Sequence, residues 1–161
     1  MYSILATQSN LANTYEGLGR FEEATRIKKD VYSGYLKLHG EEHEATLLAA
    51  NNYATSLLDL DRDEEVKSLL RRTILVARRF LGDSHDTTLR MRANYNVALV
   101  NADGAKLDDI RKAVATLEEI ERTTRRVLGG SNPVTEDVGR VLRRSRTILR
   151  ARETPSPEGS A

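Results

Sequence analysis

Two histidines, His39 and His43, stand four residues apart among Glu41, Glu42 and Glu44 in the stretch HGEEHEAT. Imidazole and carboxylate are ligand types that zinc and related metals select. The same letters also suit a helix junction. Gly40 can end one helix in the left-handed conformation. His43 can cap the next, and Glu44 then sets a carboxylate at the positive end of that helix's dipole.

Recurrence decides between the two readings. LHGEEHEAT returns as FLGDSHDTT and again as VLGGSNPVT. Gly40 and Gly82, His43 and His85, and Thr46 and Thr88 are each 42 residues apart, and a further 47 residues lead to Gly129, Asn132 and Thr135. The same register aligns Asn10, Asn52 and Asn94, then Ala12 with Ala54, Leu18 with Leu60, Arg20 with Arg62, and Ala24 with Val66 and Ala113. The five extra residues of the last step fall in NADGAKLDD and read as a loop insertion. Asn132 before Pro133 is a helix-start signal, with Asn as N-cap and Pro as first helical residue. His43 and His85 occupy the same place and are expected to cap as well. Neither a metal site nor a cofactor is expected.

Apolar residues step by three and four, as in Val66, Leu69, Leu70, Ile74 and Ala77, or Val134, Val138, Val141, Leu142, Ser145, Ile148 and Leu149. The spacing predicts seven helices, at about 2–18, 21–39, 44–60, 64–81, 86–101, 108–128 and 133–151. Short turns make consecutive helices antiparallel. A repeated helical pair that cannot bury its apolar face alone must stack on its neighbours. The expected fold is therefore all-α, a right-handed α-solenoid of antiparallel helix pairs over residues 1–152. Its repeats fall at about 3–43, 44–85 and 86–132, with a final capping helix at 133–151 and a disordered tail at 153–161. Met1 stands almost at the first helix, which suits membership of a longer array.

Composition narrows the function. The 161 residues carry 25 Lys and Arg against 24 Asp and Glu, so net charge is +1 and gives no global pull toward nucleic acid or membrane. Cysteine is absent, which removes disulfides and thiol chemistry. No secretory signal or bilayer-length apolar run is present, so an intracellular, soluble, cytoplasmic protein is expected. No nucleophile elbow or phosphate-binding Gly loop occurs, and no enzyme activity is expected.

The stretch LANTYEGLGRFEEA, residues 11–24, resembles the tetratricopeptide repeat through Ala12, Tyr15, Gly19, Phe21 and Ala24. The 42-residue unit, its junctions Gly40–Thr46, Gly82–Thr88 and Gly129–Thr135 set against the pattern LG-x-x-HP-x-T, and SNLA at 9–12 with NNYA at 51–54 are similar to the kinesin light chain type. That resemblance implies a non-enzymatic scaffold that binds a protein or extended peptide in the concave groove lined by the first helix of each pair. It implies that Asn10, Asn52 and Asn94 match an Asn that bonds a cargo peptide's backbone, since an amide both donates and accepts. The groove contacts expected here are Asn13, Asn51, Asn52, Thr55, Arg90, Asn94, Asn101, Arg140 and Arg144. The arginines would select an acidic feature. A carboxylate clamp for chaperone tails is disfavoured, because Ser9 and Asn94 stand where basic residues are needed. RVLRRSRTILRAR at 140–152 holds six arginines. It reads as a solvated capping helix rather than a nucleic-acid surface, lacking an aromatic platform. The rival expectations are a structural module packed permanently in an assembly and a basic surface for nucleic acid.

Overall fold

The computed structural model describes residues 2–154, and seven α-helices account for nearly all of them. They are α1 (Tyr2–Gly17), α2 (Phe21–His39), α3 (Glu44–Asp59), α4 (Asp63–Phe80), α5 (Asp86–Asn101), α6 (Leu107–Leu128) and α7 (Pro133–Glu153). No strand occurs among the described residues. All seven helix starts and six helix ends lie within one residue of the sequence expectation. The last helix runs two residues beyond 151, so Glu153, assigned to the tail, is helical. The rest of that tail, from 155 on, lies outside the described residues.

The junctions are built as the repeat implied. The Nδ1 atoms of His43 and His85 accept from the amides of Ala45 and Thr87, each at 3.2 Å, and Asn132 Oδ1 accepts from Val134 N at 2.9 Å. Each is an N-cap satisfying one orphan amide of the helix that follows. The His39 and His43 rings stack with centroids 4.2 Å apart. Both histidines thus belong to the junction, and no group of three His, Asp or Glu converges as a metal would require among the described residues. Gly40 departs from expectation. Its φ of 76° is positive, but its ψ of −176° lies in the mirror of extended backbone, not in the left-handed helical well. Gly129 does the same with φ 92° and ψ 157°. Chain direction reverses there without a second return bond, and only Gly holds that conformation cheaply.

The tight turns inside each pair need positive φ too. Gly19 supplies it at φ 74°, and Asp61, one repeat later, adopts φ 54° with a side chain. Asp is among the few residues that tolerate this.

The five extra residues of the third unit are not confined to a loop. The α5–α6 linker spans 102–106 against 60–62 for α3–α4, and α6 has 22 residues where α4 has 18. A longer helix with acidic residues in its first turn and arginines in its last absorbed most of them.

Stacking creates the core. Val66, Leu70, Thr73 and Ala77 of α4 are buried, as are Ile110, Ala113, Leu117, Ile120 and Thr124 of α6. These helices lie between two first helices and lend a face to each. Ala12, Ala24 and Ala54 are fully buried, where a small side chain lets two helices approach. Helices α3 and α5 touch, and so do α5 and α7, whereas the backbones of α2, α4 and α6 do not approach one another closely. First helices therefore form the inner rim of the curve. Helix α1 is the exception: it packs on α2 and has no close backbone approach to α3.

Candidate functional site

The inner rim encloses a cavity of about 390 Å³ between α3, α5 and α7. Asn51, Thr55, Arg90, Asn94, Asn101, Arg140 and Arg144 line it, seven of the nine residues expected from sequence. Asn13 and Asn52 do not; both are exposed outside it.

The reason is visible in the hydrogen bonds. Asn94 Nδ2 on α5 donates to Asn51 Oδ1 at 3.0 Å and to Thr55 Oγ1 at 3.1 Å, both on α3. One unit earlier the equivalent trio is Asn52 with Ser9 and Asn13. Because α1 stands off from α3, that trio is not joined among the described residues. The rim closes from α3 onward, not from α1.

The trio also sets which atoms of the amides are already engaged. Asn51 is buried and backs Asn94 rather than facing the cavity mouth. Thr55 Oγ1 gives its proton to the Asn51 carbonyl at 3.1 Å, so toward Asn94 it can only accept. The atom of Asn94 that faces it must then be the NH2 group. Both amide hydrogens of Asn94 are engaged, which leaves Oδ1 as the group it can offer a partner. Asn94 is oriented as an acceptor for a donor such as a peptide N–H.

Charge around the cavity is mixed. Arg140 pairs with Asp137 at 3.0 Å. Arg90 and Arg144 have no ion pair among the described residues. Leu58, Ala93, Val97, Val134, Val138 and Val141 supply an apolar floor, and Asp59 stands at its α3 end. Sequence reasoning missed these. The register could have found some: Ala93 and Arg140 share the position of Asn51, and Val97 and Arg144 that of Thr55.

Burial, then repulsion from Glu16, raises the Asp59 carboxyl above its ordinary range, and Lys28 partly offsets this. A raised acid is ionised at a cost in the folded state. That cost is absent below the unfolded Asp value of about 3.9 and grows as pH rises through the folded value. Asp59→Asn is therefore expected to melt above wild type at pH 7 and together with it at pH 3, in parallel thermal scans.

The arginine-rich α7 is less free than its sequence suggests. Arg146 holds Glu118 of α6 at 2.7 Å, and Arg111 of α6 holds Glu153 at 2.9 Å. Acids absent from the 140–152 stretch come from its neighbour.

With this geometry in hand, comparison with known proteins is informative. Residues 3–74 match the tetratricopeptide repeat family model. No curated protein matches the sequence. Among solved structures, a Podosopora anserina protein and a single-substitution variant of it, both described in terms of kinesin light chain nearly identical TPR-like repeats, are similar. One gives a TM-score of 0.67 and the other 0.63; both are 21% identical, covering 92% of this chain and 68% of theirs. BtubC (BKLC) from P. vanneervenii is similar over 98% of this chain and 68% of its own, with a TM-score of 0.50 at 15% identity. The chain folds as an α-solenoid of helix pairs, and its residues 3–74 are similar to the tetratricopeptide repeat. Its fold is similar to that of the kinesin light chain TPR-like repeats at 21% identity. Such repeats are in general non-enzymatic scaffolds for protein partners. Among the described residues no helix is long and apolar enough to cross a membrane.

Proposed function

We propose that this domain holds an extended, acidic segment of a partner protein against the inner rim of α3, α5 and α7. The observation that carries this reading is the fixed Asn94 amide, with Oδ1 left over, between two arginines without acidic partners. Oδ1 accepts a peptide N–H; Arg90 and Arg144 receive a carboxylate by charge-assisted bonds. The valine and leucine floor takes an apolar side chain beside it. A segment bound this way keeps its own backbone extended, since only an unpaired N–H can meet Asn94. Seven of the nine contacts proposed from sequence remain in this reading; Asn13 and Asn52 lie beyond the rim.

Selection from a random peptide library tests it. Wild type is expected to enrich acidic sequences. Arg90→Glu with Arg144→Glu should weaken the selected peptide by about 100-fold or more, each charged bond contributing about 1.5–3 kcal/mol, while circular dichroism stays unchanged. Asn94→Ala should weaken it by about tenfold, near the value of one ordinary bond. Peptides without acids, or binding indifferent to the double reversal, would reject the reading.

A further inference from the structure

The rim cavity has two unlike ends. As alternate members of an antiparallel series, α3, α5 and α7 point the same way, so their dipoles act in one direction across it. Arg90 and Asp137 stand near the starts of α5 and α7, where the dipole is positive. Asp59 and Asn101 are the last residues of α3 and α5, where it is negative, and the repeat register sets them at one level. All four line the cavity.

Asp59 is unfavourably placed for the fold alone. An acid in the last turn opposes its own helix, and α3 has no basic residue there to offset it. Burial and then Glu16 add to the cost of its charge. Lys28 acts on it from a distance, but the Lys28 Nζ is committed to Glu16 at 2.6 Å. Asp59 itself makes no side-chain hydrogen bond or ion pair among the described residues. Packing does not demand an acid here either, since the same register position holds Gly17 in α1, Asn101 in α5 and Ile148 in α7. An ionisable group kept in a cavity at the expense of stability points to a ligand. Asn101 adds a second acceptor. Its side chain hydrogen-bonds the Asp63 carboxyl. An ionised carboxylate only accepts, so the Asn101 NH2 group is used there and its Oδ1 is left over. Two oxygens at the negative ends of two helices suit an ammonium or a guanidinium.

We infer that the segment held in this groove is bipolar: besides the acid received by Arg90 and Arg144, it carries a lysine or arginine seated between Asp59 and Asn101. The inference rests on the reading of the groove given above and adds the partner's second charge. Helix geometry sets the spacing. Arg144 shares the level of Val97, four residues before Asn101, and Arg90 lies eleven before it. At a rise of about 1.5 Å per residue these are roughly 6 and 16 Å, which an extended chain covers in about two to five residues.

The random-peptide selection tests this when its sequences are scored in pairs. Wild type is expected to enrich an acid and a base together at one spacing within that range. Replacing the base of a selected peptide by alanine should weaken binding to wild type by about tenfold or more. The same replacement should leave binding to Asp59→Asn unchanged, a coupling that a double-mutant cycle isolates. Asp59→Asn is expected to fold at least as well as wild type, so lost binding is not lost structure. A fresh selection on Asp59→Lys should put a second acid where the base stood. Acids enriched without a base overturn the inference and leave the groove reading intact. So does a base whose removal costs the same in Asp59→Asn as in wild type. Peptides without acids, or no enrichment at all, reject both.

Discussion

Lys28→Leu alone is expected to lower unfolding stability by about 2–4 kcal/mol, somewhat under the usual penalty for breaking a buried ion pair. Lys28 is a buried residue of α2, and its Nζ holds Glu16 of α1 at 2.6 Å. Ser56 of α3 donates to the same carboxylate oxygen at 2.5 Å. Three helices thus meet on one oxygen, and Asp59 stands within electrostatic reach of both charges. Without the ammonium, Glu16 is left half-buried beside a second acid. The next junction solves the same packing problem without charge, since Leu58, Leu70 and Ala98 occupy the positions of Glu16, Lys28 and Ser56. The triple change Glu16→Leu, Lys28→Leu, Ser56→Ala should therefore recover to within about 1 kcal/mol of wild type, because replacing a whole buried ion pair by well-packed apolar groups is often neutral. Urea midpoints at constant slope measure both. A single change costing as little as the triple one would mean that the pair is not structural.

The second large effect is at the third occurrence of that position. Leu117, the register equivalent of Lys28 and Leu70, is fully buried beside Leu89, Ile110, Val138 and Leu142. Leu117→Ala removes about 2–5 kcal/mol by lost transfer energy and cavity. Its damage should be regional. Each helix touches only neighbours within two places along the chain, so stability in such an array is nearly a sum of local terms. Hydrogen exchange is expected to accelerate in α5, α6 and α7 while α2 and α3 keep their protection. Leu75→Ala, at a side chain 65% exposed, is the control and should move the midpoint little. Uniform acceleration along the chain would show instead that the domain unfolds as one unit.

The elements were legible in the sequence because each junction spells out its own chemistry. Gly40, Gly82 and Gly129 end helices, and His43, His85 and Asn132 start them, so boundaries are written in local residues. The groove was legible in part, since a register places Asn51, Asn94 and Arg144 on one face without knowing any distance. What stayed hidden depended on how far helices stand apart. Nothing in the letters says that α1 keeps away from α3, and that gap excludes Asn13 and Asn52. The Glu16–Lys28–Ser56 contact was equally invisible, because its members come from three helices and do not recur in later repeats. Direction was hidden too: that Asn94 donates within the rim and leaves its Oδ1 open follows from where the Thr55 proton goes, which only coordinates reveal.

The wide backbone spacing of the outer helices has a mechanical consequence. Close backbone contact along the curve is carried by the inner rim and by each helix's immediate partners, so the convex side resembles spaced slats on a flexible spine. Bending the spine changes the gaps between slats, such as the cleft where Tyr32 and Leu36 of α2 stand opposite Leu69 and Arg72 of α4. Curvature is therefore a soft coordinate, resisted mainly at α3–α5 and α5–α7. The width of the rim cavity rides on that same coordinate. A change in the width of that cavity thus goes with a change in curvature, as a load bends a leaf spring.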